Sequence, residues 1–232
     1  MPVNEFNQPI GESLPGHTPG ERPSAALLSG RYCRLEKLSA ARHGADLYAV
    51  YGPDSPLQNW TYLSLNPVAS VAELDALLQR LEQSSDPYYF AIIDQADGRA
   101  VGTLALQRTD TANRVIEVGW VIYSERLKRS RIATEAQFLL AQYVFETLRY
   151  RRYEWKCDAL NQASCRAAER LGFRFEGIFR QAVVYKGRNR DTAWFAMLDA
   201  DWPQVKQRMQ RWLDEGNFDE QGRQRVPLRE IK

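Results

Sequence analysis

The stretch Arg126-Leu-Lys-Arg-Ser-Arg-Ile-Ala-Thr-Glu135 is the most informative part of this 232-residue sequence. Its first six positions hold four basic residues. The stretch follows an alternating apolar run at 114–123 and leads into residues 134–148, where apolar side chains recur on one helical face. This pattern predicts a strand, a short basic loop and an amphipathic helix that packs on a sheet.

A helix that begins directly after a basic loop suits an anionic ligand. The N–H groups of the first helical turn have no partner within the helix, and the helix dipole is positive at that end. A solvated basic loop is the alternative interpretation. The candidate anion-binding residues are Lys128, Arg129, Ser130, Arg131, Ile132, Ala133 and Thr134.

On both sides of this stretch the apolar period alternates between two and about 3.6, which indicates a mixed α/β domain. Three consecutive strands are predicted before the basic loop, so an antiparallel meander is expected there. We therefore expect a mixed, mostly antiparallel central sheet of six to seven strands flanked by helices. The predicted strands lie at 30–38, 88–94, 101–107, 114–123 and 153–158, with two more around 187–189, and the predicted helices lie at 40–51, 70–81, 134–148 and 163–171.

Composition divides the chain into a central domain and two tails. Residues 1–29 form a proline- and glycine-rich N-terminal tail, either disordered or packed as an extended strap. We expect residues 1–23 to be dispensable for folding. Residues 30–202 form the domain. Residues 203–232 form a C-terminal helix and a charged tail.

Charge and cysteine content exclude several classes of function. A formal net charge of +2 gives no reason to expect direct binding to nucleic acid or to an anionic membrane. The three cysteines and two histidines are scattered, so neither a metal site nor a histidine-based triad is predicted. The sequence has no apolar run long enough to span a bilayer, and we expect a cytoplasmic protein.

The segment that begins at Glu154 supplies a family resemblance. It contains Asn161-x-x-Ser164, then Arg170-Leu-Gly-Phe173 and Glu176-Gly177, after the earlier Ala133-Thr-Glu-Ala136. With the basic loop, these motifs resemble the GNAT superfamily of acyl-CoA-dependent N-acyltransferases over about residues 30–202. The resemblance is greatest to the branch that contains the ribosomal-protein N-terminal (Rim-type) acetyltransferases. The loop departs from the family pattern at Arg131, where glycine is usual.

The resemblance implies direct attack of a primary amine on acetyl-CoA, with no metal. The amine would belong to a protein N-terminus or a small molecule. Glu117 is the first candidate for the base and Glu176 the second; a structural carboxylate is the alternative for each. Ser164 would serve the leaving thiolate, because the short helix has no tyrosine, although a helix cap is the alternative for it. Asn161 would contact the pantetheine arm or cap the helix.

The same resemblance predicts where the rest of the site lies. Backbone N–H groups of Val121, Ile122 and Tyr123 would face the cofactor, because this strand has to diverge from its neighbour. Trp60, Tyr62, Tyr89 and Tyr185 would line an amine pocket, although core packing fits each of them as well. The partners are then an acyl-CoA and an amine, in a monomer or homodimer. A catalytically silent GNAT-like module that binds acyl-CoA or a protein is the competing hypothesis.

Overall fold

The protein is described by a computed structural model that covers residues 1–231. Within that range, eight strands form one sheet in the order β1-β2-β3-β4-β5-β6-β8-β7. Neighbouring strands are antiparallel except β5 and β6, which are parallel. The strands are β1 (Leu27–Ser29), β2 (Cys33–Lys37), β3 (Tyr88–Asp94), β4 (Ala100–Asp110), β5 (Val115–Tyr123), β6 (Arg152–Asp158), β7 (Arg174–Tyr185) and β8 (Arg188–Leu198).

The mixed, mostly antiparallel sheet flanked by helices is confirmed, with eight strands rather than the predicted six to seven. The additional strand is β1, which has three residues and lies in the segment predicted to be tail. It is too short to show an alternating pattern in the sequence. Lys232, at the end of the predicted C-terminal tail, lies outside the described residues.

Within residues 1–231 five α-helices flank the sheet, and the predicted cap at the start of the second is present. The Ser70 hydroxyl accepts the N–H of Glu73, whose carboxylate accepts the N–H of Ala69, so α2 begins with a reciprocal cap. The predicted helix at 134–148 begins three residues earlier and ends in a π-helical turn, Tyr143–Thr147. The helices are α1 (Ala40–Tyr51), α2 (Val71–Gln83), α3 (Arg131–Gln142), α4 (Gln162–Leu171) and α5 (Trp202–Leu213).

The sheet is covered on both faces. Leu47 of α1 and Leu78 of α2 pack with Ile93 in a cluster on one face. On the other face Phe138 and Phe145 pack against Trp202 of α5, with ring centroids 5.9 and 5.3 Å from the indole. No helix within residues 1–231 is long and apolar enough to cross a membrane.

A buried carboxylate fixes the start of α3 against the turn before β2. Glu135 is 4% exposed and accepts the backbone N–H groups of Arg31, Tyr32 and Cys33 at 2.7 to 2.8 Å. A Cβ at Gly30 would lie 2.6 Å from the carboxyl carbon of Glu135, so only glycine leaves this approach open. The first turn of α3 is therefore tied to the sheet at three points.

The second half of the N-terminal tail is a packed strap, not a free segment. Gly20 donates its N–H to Thr111 O at 2.8 Å, and the buried Tyr150 donates its hydroxyl to Glu21 O at 3.0 Å. The hydroxyl of Tyr143 accepts the N–H of Ser24 at 2.9 Å. Proline and glycine suit this path, because the strap is extended and its hydrogen bonds go to scattered partners instead of a strand ladder.

The strap predicts a sharp difference between two truncations. Removal of residues 1–16 should leave Tm within about 2 °C of the full chain, whereas removal of 1–23 should lower it by about 6 °C or more. The larger deletion exposes Tyr150 and removes the hydrogen bonds of Gly20 and Glu21 together with those that Arg114 donates to Thr18 and Pro19; each contributes about 1 kcal/mol. Calorimetry of the two truncated proteins measures this, and equal Tm values would contradict it.

Candidate active site

The two parallel strands of the sheet separate halfway along their length. β5 and β6 pair from Val115↔Arg152 to Val118↔Trp155 and then no longer pair, although both strands continue. A bulge in β5 accompanies the separation: three steps of β5 match two of β4 in this region, and Trp120 has φ +52°. Bulges bend a strand and increase its twist. A gap between the carboxyl halves of β5 and β6 results.

The start of α3 lies just beyond the end of β5. The Ser130 hydroxyl accepts the N–H of Ala133 at 3.1 Å and donates to Leu127 O at 2.7 Å, so this residue caps the helix. The N–H groups of Arg131 and Ile132 precede the first intrahelical hydrogen bond and point out of the helix end. This helix end is positively polarised and has the unpaired N–H groups on which the predicted anion site depends.

The four basic side chains of the loop have different environments. Arg126 is paired with Asp97 at 2.6 Å and with Asp94. Lys128 is paired with Glu125 at 2.6 Å and bonds Asn59. The remaining two, Arg129 and Arg131, have no ion pair in the described part of the chain.

The departure from the family pattern at position 131 has a structural explanation. The guanidinium of Arg131 lies 4.1 Å from the ring centroid of Tyr32 and 5.5 Å from that of Phe218, a cation–π contact outside the loop. It is Arg129 whose backbone is left-handed, with φ +59°, and its side chain is exposed. Arg131 therefore needs no glycine-like backbone, and Arg129 is the exposed cation of the loop without a counter-ion among residues 1–231.

Helix α4 brings a hydroxyl to Trp155, the last residue of β6 that pairs with β5. Asn161 is the N-cap: its side-chain oxygen accepts the N–H of Ser164 at 3.1 Å. Ser164 is therefore not the cap, and its Oγ accepts the indole N–H of Trp155 at 2.9 Å. Because an indole only donates, the hydroxyl proton of Ser164 remains available for another acceptor.

Two cysteines lie beside this hydroxyl. The Sγ atoms of Cys157 and Cys165 are 3.6 Å apart. Burial raises the pKa of the Cys157 thiol to about 12, opposed in part by a hydrogen bond from Ser164. Cys33, on β2, is also buried, and this raises the pKa of its thiol as well. Cys165 is half-buried.

A row of polar side chains crosses the sheet on the face opposite Trp155. Gln107 of β4 donates to Glu117 Oε1 at 2.8 Å, and Lys156 Nζ lies 2.9 Å from Glu117 Oε2. The same ammonium lies 2.7 Å from Glu154 Oε2. Glu117 and Glu154 face each other in the parallel register, and Glu117 is 4% exposed. Sequence reasoning identified only Glu117 in this buried part of the row.

The row continues to the second candidate base. Arg152 is paired with Glu154 at 2.7 Å and holds both carboxylate oxygens of Glu176, at 2.8 and 2.5 Å. This guanidinium lowers the pKa of Glu176. The two candidate bases are thus the two ends of one charged row: Glu117 is buried beside the gap, and Glu176 is partly exposed on the outermost strand.

The four aromatic residues predicted to line an amine pocket fall into two groups. Trp60 and Tyr89 are 2% and 3% exposed and belong to the core under α1 and α2. Tyr62 and Tyr185 are half-buried near the carboxyl end of β6, where their hydroxyls donate to Leu160 O at 3.3 Å and Asp158 Oδ2 at 2.8 Å. The structure brings the second pair to the gap side of β6 and leaves the first in the core.

A sheet whose parallel strands separate beside a capped helix N-terminus, with a hydroxyl on one face and a carboxylate on the other, is the arrangement expected of acyl-CoA-dependent acetyltransferases. Residues 34–174 match the model of the acetyltransferase (GNAT) domain, and the chain belongs to this family. GNAT acetyltransferases use acetyl-CoA. Among residues 1–231, no group of histidine, cysteine, aspartate and glutamate side chains is placed to hold a metal ion.

Relatives agree with this membership. A GCN5-related N-acetyltransferase from Brucella melitensis is 50% identical, with TM-score 0.92 over 94% of this chain and 99% of that one. The "Putative ribosomal N-acetyltransferase YdaF" of Bacillus subtilis is 31% identical over 106 residues, which span 46% of this chain and 57% of YdaF. The microcin C7 self-immunity acetyltransferase MccE, solved with acetyl-CoA and AMP, has the same fold, with TM-score 0.65 and 18% identity over 73% of this chain and 93% of MccE.

The cysteine environments predict selective labelling. The thiolate is the reactive form, so a thiol whose pKa is about 12 is almost unreactive at about pH 8. In the native protein we expect Cys165 to react with a disulfide reagent much faster than Cys33 or Cys157, and Cys165→Ser to remove the fast phase. Stopped-flow absorbance measures the rates, with denatured protein as the three-thiol control. A fast phase that survives in Cys165→Ser would contradict the assignment.

Proposed function

We propose that this protein is an N-acetyltransferase that transfers the acetyl group of acetyl-CoA to a primary amine by direct attack. The observation that carries the proposal is that successive side chains of β6 alternate between the two faces of the sheet. Trp155 meets the Ser164 hydroxyl on one face of the sheet, while Glu154 and Lys156 meet Glu117 on the other, and the strands part next to these residues. A thioester in the gap would have a proton donor on one side and a base on the other.

The cofactor is proposed to bind along the gap. Its pyrophosphate would meet the helix N-terminus at Arg131 and Ile132, with the Arg129 side chain nearby. Its pantetheine arm would follow residues 121–123, where the lack of pairing with β6 leaves backbone groups for it. One of these N–H groups would stabilise the tetrahedral oxyanion. Asn161 uses its oxygen as a cap, which leaves its amide N–H groups for the arm.

Glu117 is proposed as the base. Gln107 and Lys156 each hold one of its oxygens, so the carboxylate is fixed in orientation next to the gap. It would accept the amine proton, directly or through a water molecule, as the nitrogen attacks the carbonyl carbon. Glu176 suits this role less well, because Arg152 occupies both of its oxygens and lowers its pKa.

Ser164 is proposed to protonate or hydrogen-bond the departing thiolate. When the tetrahedral intermediate collapses, the C–S bond breaks and its electron pair goes to sulfur. The Ser164 hydroxyl accepts from Trp155, and its proton faces the Cys157 thiol, which is a weak acceptor, so the proton would turn to a developing thiolate when one forms. Where Ser164 gives its proton to sulfur, water returns a proton to the serine oxygen. Glu117 passes the amine proton to solvent, so the net products are the amide and CoA with a free thiol.

The acceptor is proposed to be a protein N-terminus or a small amine. The name of YdaF and the Rim-type motifs around Asn161 and Ser164 favour a ribosomal protein. The position of Tyr62 and Tyr185 at the end of β6 supports their role beside the acceptor.

Cofactor binding is tested by charge reversal at the exposed cation of the loop. Arg129→Glu should weaken acetyl-CoA binding by about tenfold and reduce its dependence on salt, because an exposed charge acts through a screened field. Arg149→Glu is the matched control: that residue is also exposed, and its backbone is left-handed with φ +56°, but it lies beyond the far end of α3. Calorimetric affinities that are equal for both variants would contradict the pyrophosphate assignment.

Turnover is tested with thiol release from acetyl-CoA against a panel of amines that includes peptides with free N-termini. Ser164→Ala should lower kcat by about 10² while acetyl-CoA affinity stays near wild type, and Glu117→Gln should lower kcat by at least as much. Asn161→Ala is the comparison for a helix cap, with a stability loss of about 1 kcal/mol.

Two outcomes would overturn the turnover proposal. Single-turnover transfer at the wild-type rate in Ser164→Ala would reject the role of the hydroxyl. Acetyl-CoA binding without acetylation of any amine or peptide in the panel would favour the silent regulatory module.

A further inference from the structure

Lys156 is the only ammonium in the buried part of the row, judged over the described residues, and it touches two carboxylates at once. Its side chain is 7% exposed, and its Nζ lies 2.9 Å from Glu117 and 2.7 Å from Glu154. The two carboxylates are on different strands and face each other in register. We propose that Lys156 is a positioning residue for the transfer, which fixes the orientation and charge of the base by bridging Glu117 to Glu154.

The ammonium has little freedom to leave this position. It lies 3.6 Å from the ring centroid of Trp194, which faces Lys156 in the antiparallel register of β6 and β8. A desolvated cation is attracted to the face of an indole ring. Since Gln107 holds the second oxygen of Glu117, the base is clamped from β4 and from β6.

The other cations near Glu117 are screened by water or shared with other carboxylates. Arg108 of β4 approaches Glu117 at 3.4 Å, but its side chain is 65% exposed and its field is screened by water. Arg152 is shared between Glu154 and Glu176 and approaches Glu117 in no ion pair within residues 1–231. Lys156 is thus the buried counter-ion of Glu117.

Removal of the ammonium has a specific chemical consequence. Two facing carboxylates in a buried site repel each other, and the pair then retains a proton to higher pH. A base that holds this proton cannot accept one from the amine. The acid limb of the rate profile should therefore move to higher pH when Lys156 is neutralised, and it should move back when Glu154 is neutralised as well.

The test is the pH dependence of kcat/KM in the full chain, and it rests on the proposed function. In Lys156→Met we expect the midpoint of the acid limb to shift to higher pH by about one unit or more. We also expect kcat/KM at neutral pH to be about tenfold lower and acetyl-CoA affinity to be unchanged. In Lys156→Met/Glu154→Gln the limb should return to within about 0.3 unit of wild type. Lys206→Met is the control and should leave the acid limb unchanged. It breaks a half-buried ion pair of 2.6 Å between Lys206 of α5 and Glu146 in the π-helical turn after α3.

A second variant keeps the test valid where Lys156→Met does not fold. Glu154→Gln alone leaves Lys156 paired with Glu117 only, so the acid limb should move to lower pH. An unmoved limb in Lys156→Met, or a limb that is unchanged or raised in Glu154→Gln, would overturn the bridging role. If Glu117→Gln is fully active, it is the proposed base that fails; if Glu117→Gln is inactive and the limb does not move, only the role of Lys156 fails.

Discussion

The end of pairing between β5 and β6 after Val118 and Trp155 is the constraint on which the site depends. The bulge at Trp120 bends β5, while β6 keeps its pairing with β8 as far as Asp158, so that the parallel pair becomes two separate walls. The energetic cost is a set of backbone groups without ladder partners. In the proposed function these backbone groups would face the pantetheine arm of the cofactor.

Local hydrogen bonds fix the helix that follows each of the two separated strands. Glu135 binds three amides of the turn before β2 and so fixes the start of α3, and Asn161 fixes the start of α4 through its cap. The two helix starts follow the carboxyl ends of β5 and β6 within eight residues of chain. On β6, neighbouring side chains alternate between faces, so Trp155 and Lys156 serve different faces although they are adjacent in sequence.

Local features were predictable from sequence and distant ones were not. The meander, the helix after the basic loop and the Ser70–Glu73 cap follow from periodicity and from spacing within four residues. The partners of Glu117 come from β4 and β6, and periodicity cannot indicate which strands are neighbours or in what register. The stacking of Arg131 on Tyr32 and Phe218 joins segments from both ends of the chain, and the packed strap depends on Tyr150, whose burial no local pattern reveals.

The charged row also bears on how robust the protein is. Buried ion pairs seldom stabilise a fold, and replacing a whole set by well-packed apolar side chains is often neutral or stabilising. Apolar replacement of the whole stretch from Glu117 through Lys156 to Arg152 is therefore expected to cost the fold little. Selection for heat resistance alone would favour leucine and methionine here, and the variants it recovered would melt later and turn over more slowly. Such a trade-off between thermal stability and turnover would be typical of side chains that take part in catalysis.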